Sequence, residues 1–204
     1  MGFAAYCFDF CGGSAPGRGG TSDGATTDMS VLTEVKDLEA VIAYARSLPY
    51  TGDTLLLLGC SQGGFVSGLV AAKSEMKVDK LVMFYPALCI PDDARAGEMR
   101  LAQFDPKNIP DIIACGNMML GSCYVTDVID MDVYAEITPY NGPVLIVHGT
   151  ADAIVSVDYA HKATAAYEAA VAGRATLRII EGGGHGFSPE HKAIAFEALS
   201  AFVK

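Results

Sequence analysis

Length, composition and charge restrict what this chain can be. Its 204 residues, 51% of them hydrophobic, are enough for one sizeable core or at most two small ones, and we expect a single domain over residues 1–204. A formal net charge of −10 predicts no nucleic-acid partner. The lack of an apolar run of roughly 18 residues and of a signal-like first segment predicts no membrane contact and a cytoplasmic location.

The predicted elements alternate between strands and helices along the chain. Apolar runs predict strands at residues 2–10, 54–59, 80–88, 143–149 and 175–182. Helical patterns and their start and stop signals predict helices at residues 30–48, 63–73, 158–173 and 189–204. Such alternation is typical of an α/β fold with a mostly parallel sheet that is flanked by helices.

Two stretches interrupt this alternation. Residues 11–24 are rich in glycine, but no Gly-Lys-Ser/Thr follows them, so we predict a surface loop rather than a phosphate cradle. Residues 89–141 contain prolines and scattered acids without a clear period. A segment of this length inside a compact domain is usually functional, and we predict a small lid insertion over residues 89–141.

The cysteines do not predict disulfides or a metal site. In the absence of an export signal we expect reduced, mostly buried thiols. None of them combines with a second pair or a nearby histidine at the spacing of zinc ligands, so no metal is predicted. The six are Cys7, Cys11, Cys60, Cys89, Cys115 and Cys123.

The sequence Gly59-Cys60-Ser61-Gln62-Gly63 stands where a predicted strand meets a predicted helix. In this context, G-x-S-x-G is the pattern of a nucleophile elbow, in which a tight turn holds the serine at positive φ and exposes its hydroxyl. We expect Gly59 and Gly63 to be required because the chain approaches too closely there for a Cβ. Ser61 is the predicted nucleophile, at a helix N-terminus whose dipole favours a developing anion.

A serine nucleophile needs a histidine base and an orienting carboxylate, and elbow enzymes supply them in the chain order Ser, Asp, His. Asp152 follows the strand predicted at residues 143–149, and a glycine-rich loop with His185 follows the strand at 175–182. Parallel sheets build their sites at the carboxyl ends of the strands. We therefore predict Asp152 as the orienting acid and His185 as the base.

Other histidines and acids compete less well for these roles. His148 lies inside an apolar strand and is predicted to be a satisfied core residue. His161 and His191 fall in predicted helices and are expected at the surface. Asp158 is the rival of Asp152, but it stands at the beginning of a helix, where an acid is commonly a cap.

These motifs resemble the α/β-hydrolase superfamily and, within it, the cinnamoyl (feruloyl) esterases of bacteria. The resemblance covers nearly the whole chain and is carried by FDF with its glycine-rich turn, the helix from Val31, GCSQGG, VLIVHGTAD and IIEGGGHGFS. It implies an α/β-hydrolase fold and an intracellular, cofactor-free carboxylesterase that cleaves hydroxycinnamate esters through an acyl-enzyme. Ser61 would attack the ester, His185 would transfer the proton, and Asp152 would fix the histidine tautomer.

The same resemblance implies further site residues. The backbone N–H of Gln62 would bind the oxyanion. In the predicted lid, Asp93 and Tyr124 align with an acid and a tyrosine that hydrogen-bond the phenolic hydroxyls of the substrate. The alternative for Asp93 and Tyr124 is that both are ordinary lid residues.

The run GFAAYCFDF resembles the fourth strand of the family, although it begins at residue 2. The resemblance therefore implies an N-terminally truncated sheet that lacks the loop supplying the second oxyanion N–H. Three explanations stay open: Met1 is internal to a longer protein, the remaining strands close up directly, or two copies pair their exposed edges. We favour a truncated sheet that forms a homodimer or otherwise covers its edge.

Two functions from different classes follow. The first is a serine carboxylesterase that acts on small, hydroxycinnamoyl-type esters, with a peptidase or lipase of the same fold as the rival enzyme. The second is a catalytically weak or silent hydrolase-like fragment that serves as a binding or assembly module. The missing oxyanion loop favours the second function.

Overall fold

The structure, a computed structural model, describes residues 2–13, 22–116 and 118–204. Most of the predicted glycine-rich loop, residues 14–21, lies outside the described residues. The chain forms two compact units, termed here the sheet unit and the second unit. The sheet unit comprises Gly52–Cys89 and Val133–Lys204, and the second unit comprises Gly2–Thr51 and Ile90–Asp132.

Helices and strands alternate along the chain, and most of the shorter elements lie between residues 90 and 137. The helices are α1 (Val31–Ser47), α2 (Gln62–Ala72), α3 (Ile90–Ala96), α4 (Cys123–Thr126), α5 (Val133–Ile137), α6 (Val157–Ala170) and α7 (Pro189–Phe202), with one 3-10 turn at Ser74–Met76. The strands are β1 (Leu56–Cys60), β2 (Lys80–Phe84), β3 (Glu98–Met99), β4 (Ala102–Gln103), β5 (Ile112–Cys115), β6 (Met118–Gly121), β7 (Val144–Gly149) and β8 (Ala175–Ile180).

The sheet unit is built on four strands that pair in the order β1, β2, β7, β8, all of them in parallel. Each corresponds to a strand predicted from an apolar run. β7 is buried along its whole length, as expected for an inner strand of a parallel sheet covered on both faces. The prediction of a mostly parallel sheet is therefore confirmed.

Helices cover both faces of this sheet. Met83 and Phe84 point to opposite faces because side chains alternate along a strand. α2 packs on the Met83 side, where a Cβ added to Gly68 would lie 3.6 Å from the Met83 sulfur. α7 packs on the Phe84 side, where Ala195 and Leu199 join the same buried cluster as Phe84. The predicted helical layers are thus present on both sides.

The first predicted strand does not form. Residues 2–10 have no strand structure, and all described side chains among them except Phe10 are exposed. An apolar run becomes a strand only where a neighbour exchanges backbone hydrogen bonds with it. The described part of the chain supplies no such neighbour, and the prediction for this segment is wrong.

The second unit contains α1, α3, α4 and two antiparallel hairpins, β3–β4 and β5–β6. α1 begins with a capping box at Ser30, whose hydroxyl also donates to Asp127 at 2.5 Å. Arg95 of α3 donates to the carbonyl of Ile129 at 2.8 Å. Most of the segment 89–141 therefore consists of short, mutually bonded elements. The lid role of this segment and the single-domain organisation stay predictions.

The cysteines are all free thiols in this structure, but only Cys89 and Cys115 are buried. The expectation of mostly buried thiols is wrong, in part because the segment that carries Cys7 does not pair into a sheet. Among the described residues, no group of three or more His, Cys, Asp or Glu side chains is arranged to hold a metal ion. None of the helices in the described ranges combines the length and the apolar character needed to cross a bilayer.

Candidate active site

Ser61 stands at the turn between β1 and α2, with φ 53° and ψ −123°. A non-glycine residue rarely adopts this region and does so only where its surroundings hold it there. The Ser61 N–H donates to the carbonyl of Phe84 at 2.9 Å, and the Ser61 carbonyl accepts from the N–H of Ala87 at 2.9 Å. Backbone bonds to the end of β2 therefore hold the serine at positive φ, as the elbow pattern predicts.

Two glycines around Ser61 have little space for a side chain, but they are not the predicted pair. A Cβ on Gly59 would collide with the carbonyl of Gly63. A Cβ on Gly63 would have no described atom within 4 Å. The second close approach is at Gly64, whose Cβ would lie 3.0 Å from Pro86. The expectation for Gly63 is wrong because the segment after β2 packs on the next residue of the helix.

The loop after β8 brings His185 to the serine. His185 Nε2 lies 2.9 Å from Ser61 Oγ, which is hydrogen-bonding distance. The loop turns at Gly182 and Gly186, which adopt φ values of 69° and 87° that glycine tolerates without steric cost. The imidazole lies against the ring of Tyr85, with centroids 4.8 Å apart. The histidine side chain is 18% exposed, so it is held in place while remaining accessible.

The carboxylate of Asp152 lies behind the imidazole. Its Oδ2 is 2.8 Å from His185 Nδ1, and its Oδ1 accepts from the N–H groups of Ile154 and Val155, each at 2.9 Å. Burial raises the pKa of Asp152, but the bonds from the two backbone N–H groups and from His185 outweigh it, so the pKa lies below its ordinary value. Asp152 is therefore an anion at neutral pH, His185 carries its proton on Nδ1, and Nε2 accepts from the Ser61 hydroxyl.

A close approach between the ends of β7 and β8 aligns the loops that carry the carboxylate and the imidazole. A Cβ on Gly149 would collide with the carbonyl of Gly183. The N–H of Ala151 donates to that carbonyl at 2.9 Å, and the N–H of Gly182 donates to Thr150 Oγ1 at 2.9 Å. The loop after β7 is therefore hydrogen-bonded directly to the loop after β8.

His148 lies beside the candidate site, which its place in an apolar strand did not predict. It is fully buried in β7, and its Nε2 lies 3.0 Å from the carbonyl of Val155 and 3.2 Å from Asp152 Oδ2. Burial lowers the pKa of His148 below its ordinary value despite the nearby carboxylate. Its Nδ1 is buried without a hydrogen-bond partner among the described residues. The prediction of a core histidine is confirmed, but only one of its two nitrogens is satisfied.

Tyr85 is the second residue that sequence patterns did not reveal. It follows β2 with φ 37°, an uncommon conformation outside glycine, and its ring packs edge-on against Phe187 with centroids 4.7 Å apart. Burial, followed by a hydrogen bond with Cys60, raises the pKa of the Tyr85 hydroxyl. The ring is thus neutral at physiological pH and forms a wall beside the imidazole of His185.

The competing residues lie elsewhere. His161 is exposed, as predicted, and His191 is half-buried in α7. Asp158 is exposed in the first turn of α6, but the N-cap of this helix is Ser156. The side chain of Asp152, in contrast, is 1% exposed.

The remaining predicted residues are distributed over both units. Gln62 is the first residue of α2, directly after Ser61, and is half-buried. Asp93 is half-buried in α3, and Tyr124 is buried in α4, so both lie in the second unit. Their roles toward a substrate stay predictions.

The two glycines at the ends of G-x-S-x-G differ enough to give opposite stability effects. Gly59→Ala should lower the free energy of unfolding by about 1–3 kcal/mol or more, because the new methyl group overpacks the turn. Gly63→Ala should raise it by roughly 0.5–1 kcal/mol, since alanine is favoured over glycine in a helix and has room here. Urea denaturation of both variants tests this, and equal destabilisation would contradict the close approach described above.

The buried neutral state of His148 predicts a pH-dependent stability. Because its pKa is lowered in the folded state, its contribution is fully present above the ordinary value of 6.5 and is lost as the pH falls from there toward the folded-state pKa. The loss reaches at most about 1.4 kcal/mol per pH unit. Urea midpoints at pH 7.5 and 5 should therefore differ more for the natural protein than for His148→Gln, while the exposed-site control His161→Gln should leave the difference unchanged.

Comparison with known proteins identifies the fold. The structure of Est1E from Butyrivibrio proteoclasticus with ferulic acid bound has a TM-score of 0.83 and 28% identity, over 96% of this chain and 74% of that chain. Paleococcus ferrophilus monoacylglycerol lipase has a TM-score of 0.60 and 21% identity, over 91% and 80% of the two chains. Mouse alpha/beta hydrolase domain-containing protein 10 has a TM-score of 0.67 and 16% identity, over 90% and 73%.

No protein-family model and no curated protein sequence matches this chain, so the relationship is visible at the level of three-dimensional structure. The two matches below 25% identity demonstrate the shared fold alone, and Est1E adds similarity over almost the whole described chain. The expected resemblance is confirmed: this chain adopts the α/β-hydrolase fold and is structurally similar to Est1E.

Proposed function

We propose that the protein is a serine carboxylesterase that hydrolyses small esters through an acyl-enzyme intermediate. One observation carries the proposal, namely an unbroken line of hydrogen bonds from Asp152 Oδ2 through both nitrogens of His185 to Ser61 Oγ, at 2.8 and 2.9 Å. The three side chains belong to one compact unit. Similarity to Est1E, which was solved with ferulic acid bound, supports hydrolysis of esters as the reaction class.

In the acylation step, His185 Nε2 takes the hydroxyl proton of Ser61 as the serine oxygen attacks the ester carbonyl carbon. The carbonyl π electrons move onto oxygen, and the backbone N–H of Gln62 at the beginning of α2 donates to the resulting oxyanion. The tetrahedral intermediate then collapses. The C–O bond to the alcohol breaks, and His185 returns the proton to the leaving oxygen.

Deacylation repeats these roles with water as the nucleophile. His185 accepts a proton from water, the hydroxide oxygen attacks the acyl carbon, and the acid leaves as the Ser61 oxygen regains its proton. Asp152 stays ionised throughout, because its lowered pKa and its buried hydrogen bonds favour the anion. Its charge stabilises the imidazolium that forms transiently in both steps.

The proposed substrate class is a small ester with a hydroxycinnamoyl acyl group. The support is the similarity to Est1E, which was solved with ferulic acid bound. Asp93 and Tyr124 are the proposed partners of the phenolic hydroxyl groups, since a carboxylate and a phenol are suitable hydrogen-bonding groups for such an acid. No metal or cofactor takes part in the proposed reaction.

Replacement of the nucleophile tests the proposal. Ser61→Ala should reduce kcat for methyl ferulate and p-nitrophenyl acetate by roughly 10⁴-fold or more, because the covalent route is lost. Ser47→Ala is the matched control, since Ser47 is exposed at the end of α1 and donates to the carbonyl of Tyr44. Equal turnover by the natural protein and Ser61→Ala would rule out the esterase proposal.

The alternative is a weak or silent hydrolase-like module that binds rather than cleaves. The observation that favours it is the absence of strand structure in residues 2–10, which leaves a four-stranded sheet in the described chain and the Gln62 N–H as the one oxyanion donor proposed here. A fluorophosphonate probe separates the two functions. Labelling of Ser61 without ester turnover would favour the module, whereas labelling with turnover and a burst of released alcohol would favour the esterase.

Homodimer formation is a further proposal, and a cytoplasmic location stays a prediction. β1 is an edge of the four-stranded sheet, and Leu58 on it is 40% exposed, which favours association. We expect light scattering to give twice the monomer mass. Leu58→Lys should weaken the dimer, while Leu101→Lys, at an exposed site of the second unit, should not. A monomer at every concentration tested would contradict the proposal.

A further inference from the structure

We propose that His148 is a positioning residue for Asp152, a second histidine that donates a hydrogen bond to the carboxylate on which His185 depends. The inference rests on the proposed esterase function and assigns one more residue to the same site. It concerns Oδ2 of Asp152, the oxygen that also accepts from His185.

The tautomer of His148 follows from its contacts. Nε2 lies 3.0 Å from the carbonyl oxygen of Val155, and a carbonyl oxygen only accepts, so Nε2 carries the proton. The same Nε2 is 3.2 Å from Asp152 Oδ2, which places both acceptors within reach of one N–H group. The lone pair of Nδ1 then points into a buried region without a partner among the described residues. The His148 ring is therefore neutral, and its one N–H group lies near both the Val155 carbonyl and Asp152 Oδ2.

Three residues close a ring of hydrogen bonds around the carboxylate. The N–H of Val155 donates to Asp152 Oδ1, and the carbonyl of Val155 accepts from His148, whose Nε2 also lies 3.2 Å from Oδ2. With the N–H groups of Ile154 and Val155 and with His185, the carboxylate has three donors, and His148 is the proposed fourth for its roughly four lone-pair positions. Such a carboxylate cannot rotate without breaking a bond.

The second donor also affects the base. A hydrogen bond to Oδ2 withdraws negative charge from the bond between Asp152 and His185, so the carboxylate stabilises the imidazolium form of His185 less strongly. His148 itself is neutral, because burial lowers its pKa, and it adds no charge to the site. The hydrogen bond between Asp152 and His185 is thus weaker than it would be with a single donor on Oδ2.

Neighbouring elements also place titratable groups around the base His185. The Tyr85 ring lies against His185, and the Tyr85 hydroxyl forms a hydrogen bond with the thiol of Cys60. Lys192 of α7 acts electrostatically on that thiol. These groups stay unchanged when His148 is replaced, so a change in the titration of His185 reports on the His148 donor.

A pair of variants separates positioning from packing. His148→Leu removes the donor and keeps an apolar core, whereas the amide N–H of His148→Gln reaches toward the same oxygen. For His148→Leu we expect kcat for methyl ferulate to fall about tenfold, with KM nearly unchanged. The acidic limb of the kcat/KM profile should move to higher pH by roughly 0.5–1 unit. His148→Gln should recover most of both effects, and the packing control Leu145→Val should not move the limb.

Histidine NMR gives a readout that does not need turnover. The chain has four histidines, and the pKa of His185 should rise in His148→Leu and return toward the natural value in His148→Gln. If His148→Leu does not fold, His148→Asn replaces it, because its shorter amide withdraws the donor from Oδ2. An unchanged acidic limb and an unchanged His185 titration would overturn the inference. Absence of Ser61-dependent turnover in the natural protein would instead overturn the proposed function, while the NMR titration still decides the role of His148.

Discussion

Parallel pairing of β1, β2, β7 and β8 is the constraint on which the candidate site depends. It directs the carboxyl ends of all four strands to one edge of the sheet. Neighbouring strands lie about 4.8 Å apart, so the ends of β1 and β8 are separated by roughly 14 Å. The loop after β8 must span this distance to bring His185 to Ser61. Glycine conformations in that loop, and the ring of Tyr85 at the end of β2, make the approach possible.

The parts of this arrangement that depend on local sequence were predictable. The strands of the sheet unit are short apolar runs bounded by turn residues, and the helices between them have clear start and stop signals. Ser61, Asp152 and His185 each follow a strand of the same sheet, and topology alone brings such positions to one edge. The positive φ of Ser61 also follows from local pattern, because G-x-S-x-G between a strand and a helix leaves few other turns.

The features that sequence patterns missed depend on neighbours that are distant along the chain. The segment 2–10 is as apolar as the real strands, but strand formation depends on a partner and not on composition. Gly63 and Gly64 look equivalent in sequence, and the positions of Pro86 and of the Gly59 carbonyl distinguish them. In the sequence, His148 looks like a core residue of an apolar strand, and its contact with Asp152 arises because the chain turns back after β7. The spacing of four residues between His148 and Asp152 was the feature of the sequence from which this contact could have been predicted.

The backbone hydrogen bonds of Ser61 to Phe84 and Ala87 restrict the motion of the serine at this site. The backbone of Ser61 is held by main-chain groups on both sides of Tyr85, so it loses its torsional freedom once, during folding. A ligand that binds later therefore does not need to order the backbone of the serine. By the same connection, residues 84–87, at the end of β2 and directly after it, support the backbone of the serine, and a substitution there would shift the hydroxyl without contacting it.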